Sequence, residues 1–300
     1  MKRRNFLKNT AATVTFLSSG LINFSCEEKE KKITILHTND VHSHIFPFSN
    51  NNKKRANLGG VARRSVIINN IRKENPNTLL LDAGDIFQGT PYFNYFGGEL
   101  EFKLMSLLKY DASTIGNHDF DNGIDGLHKQ LPNAEFDFIS SNYDFTNTVM
   151  DAHVRKYNTY IRDGVKIGVF GLGVELKGLV NANAYKETKY LDPIEIAQDM
   201  SRILKNEEKC DLIVCLSHLG YDYKDPKKIS DIILARATKD IDLIIGGHTH
   251  TLLKNPIKLF NVSGESVLIN QVGCFGTHLG KIDFHIEQNS KYYSSQILRI

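Results

Sequence analysis

The chain has 300 residues, of which 41% are hydrophobic and 24% are charged, a balance typical of a soluble globular protein. The formal charge of +3 arises from basic residues near the N-terminus, because residues 26–300 contain 33 basic and 34 acidic residues, a net charge of −1. This balance excludes the basic field that nucleic-acid binding requires. The length suffices for one large α/β domain or two small ones.

The first 25 residues have the pattern of an export signal. A basic stretch, Lys2 to Lys8, contains the pair Arg3-Arg4 and precedes a mostly apolar run from Ala11 to Phe24. This run is too short to be a stable membrane anchor. The paired arginines resemble a twin-arginine (Tat) signal, and an ordinary secretion signal with basic residues is the alternative.

Cys26 ends the apolar run and is followed by the charged stretch Glu27–Lys32. The arrangement resembles a bacterial lipoprotein cleavage site, with Cys26 as the lipidated residue. Asn23 and Phe24 depart from the usual residues of such a site, so a free structural cysteine stays open as the alternative. We therefore predict an export signal at 1–25, a charged tether at 26–32 and one domain at 33–300, in an exported, periplasmic or cell-surface protein.

The other cysteines are Cys210, Cys215 and Cys274. Their odd number excludes a simple disulfide framework, and their spacing is not that of a zinc finger. We predict that they are buried core thiols.

From Ile33 onward, short apolar strands alternate with helical patterns. The first strands are predicted at Ile33–Leu36, Thr78–Leu81, Ala112–Ile115 and Phe136–Ser140. Helices are predicted from Gly59-Gly60 to Asn75, from about Leu100 to Tyr110, and from Ile124 to Leu131.

The second half begins with a β-hairpin, Arg155–Ile161 and Val165–Phe170 around an Asp163-Gly164 turn. Asp192-Pro193 and Asp225-Pro226 each predict a helix start, because proline suits the first helical position. These helices run to about Glu208 and Thr238, and strands follow at Leu212–Leu216 and Leu243–Ile245. The last fifty residues predict three or four more strands.

Seven potential metal ligands follow five of these strands: Asp40, His42, Asp85, Asn117, His218, His248 and His250. The carboxyl ends of neighbouring parallel strands converge at one edge of a sheet, so we expect these side chains to meet. Carboxylate, amide and imidazole donors suit Zn²⁺, Mn²⁺ or Fe. On an extended backbone, Asp40 and His42 would point the same way, as would His248 and His250.

The stretch Ser113–Asp121 combines a glycine turn with three polar side chains, Asn117, His118 and Asp119. This combination suits the edge of a metal site that also needs a proton-bearing group. Asp121 lies three residues after His118, close enough to orient its imidazole. Taken alone, the stretch is equally compatible with an ordinary polar turn.

Together the motifs Asp40-x-His42, Gly84-Asp85, Gly116-Asn117-His118-Asp119, His218 and Gly247-His248-Thr249-His250 resemble those of the calcineurin-like metallophosphatases. Leu36–Asp40, Asp85–Pro91 and Gly116–Asp121 are similar to the 5′-nucleotidase branch, and the resemblance spans about Ile33 to Ile300. It implies an α/β fold, a four-layer αββα sandwich, with two divalent metal ions (Zn, Mn, Fe or Co). It also implies that Asp40, His42 and His250 hold one ion, that Asn117, His218 and His248 hold the other, and that Asp85 bridges them.

The resemblance implies a reaction as well. A hydroxide that bridges the two ions attacks phosphorus, and His118 stabilises the phosphoryl charge or protonates the leaving group, with Asp121 as its orienting partner. Asp119 is the weaker candidate for a catalytic role. The predicted protein is an exported phosphomonoesterase for nucleoside 5′-monophosphates or related esters.

Three alternatives remain open at this point. The same metal core would serve a cyclic-nucleotide phosphodiesterase or a nucleotide-sugar pyrophosphatase. A non-catalytic, metal-loaded binding lipoprotein is the third, although a binder has no need of the pair His118 and Asp121.

Full-length 5′-nucleotidases carry a C-terminal domain with an aromatic clamp for the base, and this sequence stops at Ile300. A separately encoded C-terminal domain protein is therefore a predicted partner, besides the small phosphate-ester substrate. The aromatic run Pro91–Phe96 is either part of a substrate pocket or local packing.

Overall fold

The computed structural model describes residues 30–287 and 290–300. The predicted export signal, Cys26 and the tether up to residue 29 lie outside the described residues. Within the described part, every helix is too short or too polar to cross a membrane.

The elements follow the alternating pattern of the sequence. The strands are β1 (Lys31–Thr38), β2 (Thr78–Asp82), β3 (Ala112–Ser113), β4 (Asp137–Phe138), β5 (Tyr143–Asp144), β6 (Tyr157–Arg162), β7 (Val165–Gly173), β8 (Lys189–Tyr190), β9 (Leu212–His218), β10 (Leu243–Gly246), β11 (Ile257–Phe260), β12 (Ser266–Asn270), β13 (His278–Glu287) and β14 (Ser290–Arg299). The α-helices are α1 (Val61–Glu74), α2 (Pro91–Phe96), α3 (Glu99–Leu107), α4 (Gly123–Gln130), α5 (Ala182–Tyr185), α6 (Pro193–Asn206) and α7 (Asp231–Ala237).

The long strands form two six-stranded sheets, in the orders β14-β13-β1-β2-β3-β4 and β11-β12-β10-β9-β7-β6. Strands β1 to β4 are parallel in the first sheet, and β7, β9, β10 and β12 are parallel in the second. Antiparallel strands complete the edges. Each sheet thus has a parallel centre, whose carboxyl-end loops are available for a site.

Side-chain alternation along the strands divides the core into three apolar layers. Leu79 and Leu81 of β2 lie between the sheets with Val214 of β9, whereas Leu80 faces the side of α1 and α3. On the second sheet, Ile244 faces the side of α6 and α7. Helices therefore cover both outer faces of the paired sheets, and the predicted αββα sandwich is confirmed.

The three cysteines in the described residues, Cys210, Cys215 and Cys274, are free and buried, as predicted. The hairpin and the four final strands are also confirmed. Strands β3 and β4 are shorter than predicted, with two residues each.

The predicted helix start at Asp225-Pro226 is wrong. Asp225 instead begins a turn, in which its Oδ1 accepts the backbone N–H of Lys227 at 3.0 Å. Helix α7 begins at Asp231, after Ser230, whose hydroxyl oxygen accepts the N–H of Ile233. An aspartate before a proline favours both turns and helix starts, and here the serine five residues later caps the helix.

The aromatic run after Thr90 forms the short helix α2, which was not predicted. Its Phe93 is buried against Phe87, with ring centroids 5.1 Å apart, and Tyr95 is 83% exposed. Tyr92 stacks on Phe46. These contacts favour the local-packing alternative for this run.

Candidate metal centre

The seven predicted donors lie on loops at the carboxyl ends of strands from both sheets. Asp40 and His42 follow β1, Asp85 follows β2 and Asn117 follows β3, while His218 ends β9 and His248 and His250 follow β10. The Asp40 carboxylate accepts the backbone N–H of His248 at 3.0 Å, which ties the first sheet to the second. The edge where the sheets meet is therefore the candidate site.

Six of the donors form two compact groups. Asp40, His42 and His250, the first group, offer ligand atoms within 4.8 Å of one another, as do Asp85, His218 and His248, the second group. The two groups adjoin at Asp85, whose Oδ2 lies 3.1 Å from His218 Nε2 and 3.7 Å from His42 Nε2.

His218 shows that the second group suits a cation. Its Nδ1 lies 2.6 Å from the Ala83 carbonyl, so Nδ1 carries the proton and donates it. In the neutral ring the Nε2 lone pair would face the Asp85 carboxylate, and this buried atom has no hydrogen-bond partner among the described residues. Burial disfavours the charged ring, but the Asp85 carboxylate outweighs it and raises the pKa of His218 to about 10, so without a metal ion a proton is favoured at this position. Two facing acceptors repel each other unless a cation or a proton lies between them.

The first group also suits a cation. His42 Nδ1 donates to the Phe87 carbonyl at 3.2 Å, which turns Nε2 towards His250 Nε2 at 3.0 Å. His250 Nε2 lies 3.3 Å from Asp40 Oδ1. Hydrogen bonding to Asp40 raises the pKa of His250 to about 10, so Asp40 favours a positive charge on this ring.

Asn117 offers an oxygen donor on the loop after β3. Its Oδ1 is buried with no hydrogen-bond partner among the residues that the structure describes. The next residue, His118, donates its backbone N–H to Asp85 Oδ1 at 2.8 Å, which holds the β3 loop against the β2 loop. An orphaned amide oxygen, imidazole lone pairs and carboxylates are ligands that a divalent transition metal accepts.

The extended backbone predicted around the ligand pairs is wrong. Asp40 and His42 both have φ of +49°, and His248 and His250 have φ of +68° and +54°. Asp40 and His42 still share a group, but His248 and His250 fall into different groups. The left-handed residues tighten the loop, so successive histidines reach opposite parts of the site, at a conformational cost typical of functional loops.

Two glycines allow the β2 and β3 loops to touch. A Cβ on Gly116 would lie 2.2 Å from Asp85 Oδ1, and a Cβ on Gly84 would lie 2.7 Å from the Gly116 nitrogen. Any larger residue would push Asp85 away from the histidines.

His118 and Asp121 lie together beside the two groups. His118 Nδ1 donates to Asp121 Oδ2 at 2.9 Å, and the His118 ring lies 5.3 Å from the His42 ring. The hydrogen bond that His118 donates to Asp121 raises the pKa of His118. The His118 side chain is 38% exposed, so its free nitrogen is accessible to a substrate.

Asn39 was missed in the sequence. Its Nδ2 donates to Asp40 Oδ2 at 2.5 Å and to the Gly273 carbonyl at 2.7 Å, and its Oδ1 accepts the N–H of Val272. Asn39 therefore fixes Asp40 to the loop after β12. The sequence does contain a signal for this role, because Asn39 is a polar residue at the end of a buried strand and directly precedes a proposed ligand.

Asp119 has a structural position. Its buried carboxylate accepts four backbone N–H groups, those of Asp85, Ile86, Phe87 and Gly116, at 2.8 to 3.1 Å. Both ligand-bearing loops thus depend on one carboxylate, which faces the backbone instead of the substrate side.

Comparisons with known proteins agree with this geometry. The sequence matches the family model of the calcineurin-like phosphoesterases over residues 33–252. It is 33% identical to the 5′-nucleotidase of Rattus norvegicus over 293 residues, covering 87% of this chain and 48% of that protein. It is 32% identical to the trifunctional nucleotide phosphoesterase protein YfkN of Bacillus subtilis over 290 residues, covering 85% of this chain and 18% of that protein.

A solved structure also matches closely. The 5′-nucleotidase precursor of Thermus thermophilus superposes with a TM-score of 0.82 at 31% identity, covering 90% of this chain and 55% of that one. The chain spans about half or less of the length of these relatives.

The role of Asp119 leads to a stability prediction. Replacing Asp119 with Ala should lower the free energy of unfolding by about 3 kcal/mol or more, because buried backbone N–H groups lose their acceptor. Asp119→Asn, which retains one acceptor oxygen, should have a smaller effect. Urea unfolding measures both variants, and the exposed Asp151→Ala is the control, expected to change stability by less than about 0.5 kcal/mol. Equal stability of Asp119→Ala and the control would contradict the structural role.

Proposed function

The chain belongs to the calcineurin-like phosphoesterase family, and on that premise we propose that it is a metal-dependent hydrolase of nucleoside 5′-monophosphates and related phosphate esters. The observation that carries the proposal is the pair of donor groups that adjoin at Asp85, with His118 beside them. The names of the relatives support a nucleotide substrate.

We assign a ligand role to each donor. Asp40, His42 and His250 would hold one divalent ion, and Asn117, His218 and His248 the other, with Asp85 shared between them. When bound, such a pair of ions supplies an activated water nucleophile and neutralises charge on the phosphoryl oxygens. Zn, Mn, Fe and Co all suit these donors.

The protein itself supplies the proton and the orientation. His118 is not among the proposed ligands, and its exposed ring can donate a proton to the leaving oxygen or stabilise the phosphoryl charge. Asp121 holds the His118 ring through Nδ1, so the proton for the substrate is carried by Nε2.

The length of the relatives bears on substrate choice. This chain aligns with about half of the length of each of these 5′-nucleotidases, and from the resemblance we propose that a C-terminal domain protein supplies the base-binding part of the site. A diesterase or pyrophosphatase activity is the second candidate, favoured by the similarity to a trifunctional nucleotide phosphoesterase.

A substrate panel tests the proposal. The purified protein should hydrolyse AMP faster than a cyclic nucleotide or a UDP-sugar, as measured by phosphate or nucleoside release. A chelator should abolish the activity, and Mn²⁺, Co²⁺ or Zn²⁺ should restore it, because the ions supply the nucleophile.

A ligand variant sharpens the same test. Asp85→Ala should be the most damaging single ligand change, since it removes the carboxylate between both groups. Full activity of the metal-free protein would contradict the proposed mechanism, and faster hydrolysis of the UDP-sugar would favour the second candidate.

The His118→Asn variant tests the proton donor. It should keep both metals and lower kcat roughly 10²–10⁴-fold, the usual contribution of a positioned acid–base group. The loss should be smaller with p-nitrophenyl phosphate, whose leaving group needs little protonation. Asp121→Asn should give a milder defect, because it removes only the orienting partner.

Elemental analysis is the control for this variant. Loss of a metal from His118→Asn would identify His118 as a ligand and contradict its proposed role. An equal loss of kcat for all leaving groups would indicate charge stabilisation in place of proton donation.

We further propose that residues 1–25 direct export, that Cys26 carries a lipid anchor with the tether 26–32, and that residues 33–300 are the enzyme domain. The support is the basic and apolar pattern of the N-terminus. In the native host, mass spectrometry of the membrane fraction should find a lipidated N-terminal Cys26, and Cys26→Ser should release the protein from the membrane. A cytosolic chain that retains Met1 would contradict export, and an exported soluble chain cleaved near residue 26 would contradict only the anchor.

A further inference from the structure

A phenylalanine with a left-handed backbone lies next to the first metal group. Phe275 has φ of +64° in the loop between β12 and β13. Bulky residues rarely adopt this conformation, whereas glycine adopts it freely. Backbone geometry alone would favour glycine at position 275, so the side chain requires another explanation.

The ring of Phe275 contacts the imidazoles of the first group. Its centroid lies 5.7 Å from the His42 ring and 5.7 Å from the His250 ring, with interplanar angles of 54° and 69°. These are distances at which inclined aromatic rings attract each other. The backbone N–H of Phe275 also donates to the Asp40 carbonyl at 2.6 Å. One residue thus contacts all three members of the first group.

Further contacts fix the Phe275 ring in turn. The His44 ring lies 4.3 Å from it and the Phe48 ring 5.9 Å. The Arg55 guanidinium carbon lies 4.7 Å from its centroid, within cation–π range. These neighbours hold the Phe275 ring on several sides. A fixed ring can in turn restrict the orientations of the His42 and His250 imidazoles.

The two metal groups differ in how their histidines are supported. His218 of the second group is fully buried and is fixed by its hydrogen bond to Ala83. The His250 side chain is 38% exposed, and it meets Cys274 and Phe275 of the same loop. This loop therefore adds to the contacts that His42 and Asp40 make with the exposed His250 ring.

We propose that Phe275 is a positioning residue, whose ring holds His42 and His250 in the orientation that binds one of the two divalent ions. The inference rests on the ligand set proposed above and concerns only the ion of the first group. Removing the ring should weaken the binding of that ion and leave the affinity for the ion of the second group unchanged.

Isothermal titration calorimetry of the metal-free protein with Mn²⁺ tests this inference. Wild type should bind two equivalents. In Phe275→Gly, which removes the ring and suits the left-handed backbone, one equivalent should bind about 10–100-fold more weakly, as is usual when support for a ligand is lost. The other equivalent should bind as in wild type.

Two variants are the matched controls. Phe275→Tyr retains an aromatic ring and should bind both ions as wild type does. Phe48→Leu removes one of the contacts that hold the Phe275 ring but leaves that ring in place, so it should weaken the binding of the same ion much less than Phe275→Gly does. Thermal unfolding of the metal-free variants should show that Phe275→Gly is folded, and Phe275→Leu is the substitute if it is not.

The inference would be overturned by unchanged binding of both ions in the variant without the ring, by equal weakening of both, or by an equal effect of Phe48→Leu. Wild type that binds no Mn²⁺ would contradict the proposed ligand set and this inference together. Two ions bound equally well in wild type and Phe275→Gly would contradict the inference alone.

Discussion

Buried acceptors that face one another at the junction of the two sheets are the constraint on which this structure depends. His218 Nε2 points at the Asp85 carboxylate because Nδ1 is committed to the Ala83 carbonyl. His42 Nε2 faces His250 and the same carboxylate because its Nδ1 is committed to Phe87. Such an arrangement of buried acceptors is stable only with positive charge between them.

Much of the surrounding loop structure serves to hold that arrangement. Asp119 gathers the backbone of the β2 and β3 loops, and Asn39 fixes Asp40 to the loop after β12. Gly116 lets Asp85 approach the β3 loop closely. These contacts order the donors before an ion binds. Less conformational entropy is then lost on binding, which favours the bound state.

Much of the fold could be predicted from the sequence, because apolar strands and proline helix starts are local signals. Asp192-Pro193 does begin a helix, but Asp225-Pro226 forms a turn, since the same residues favour both and here Ser230 caps the helix. The convergence of six of the donors into two adjoining groups followed from their place after the strands. The division between His248 and His250 followed only from the resemblance, since the loop is left-handed and not extended. The contacts of Asp119 and Phe275 join residues far apart in the sequence, and no local pattern encodes them.

Anomalous diffraction tests the central claim most directly. Crystals grown with Mn²⁺ and measured at the manganese absorption edge should show two anomalous peaks about 3.5–4 Å apart. One should lie among Asp40, His42 and His250, the other beside Asn117, His218 and His248, with the Asp85 carboxylate between them. A single peak, or peaks away from Asp85, would contradict the account.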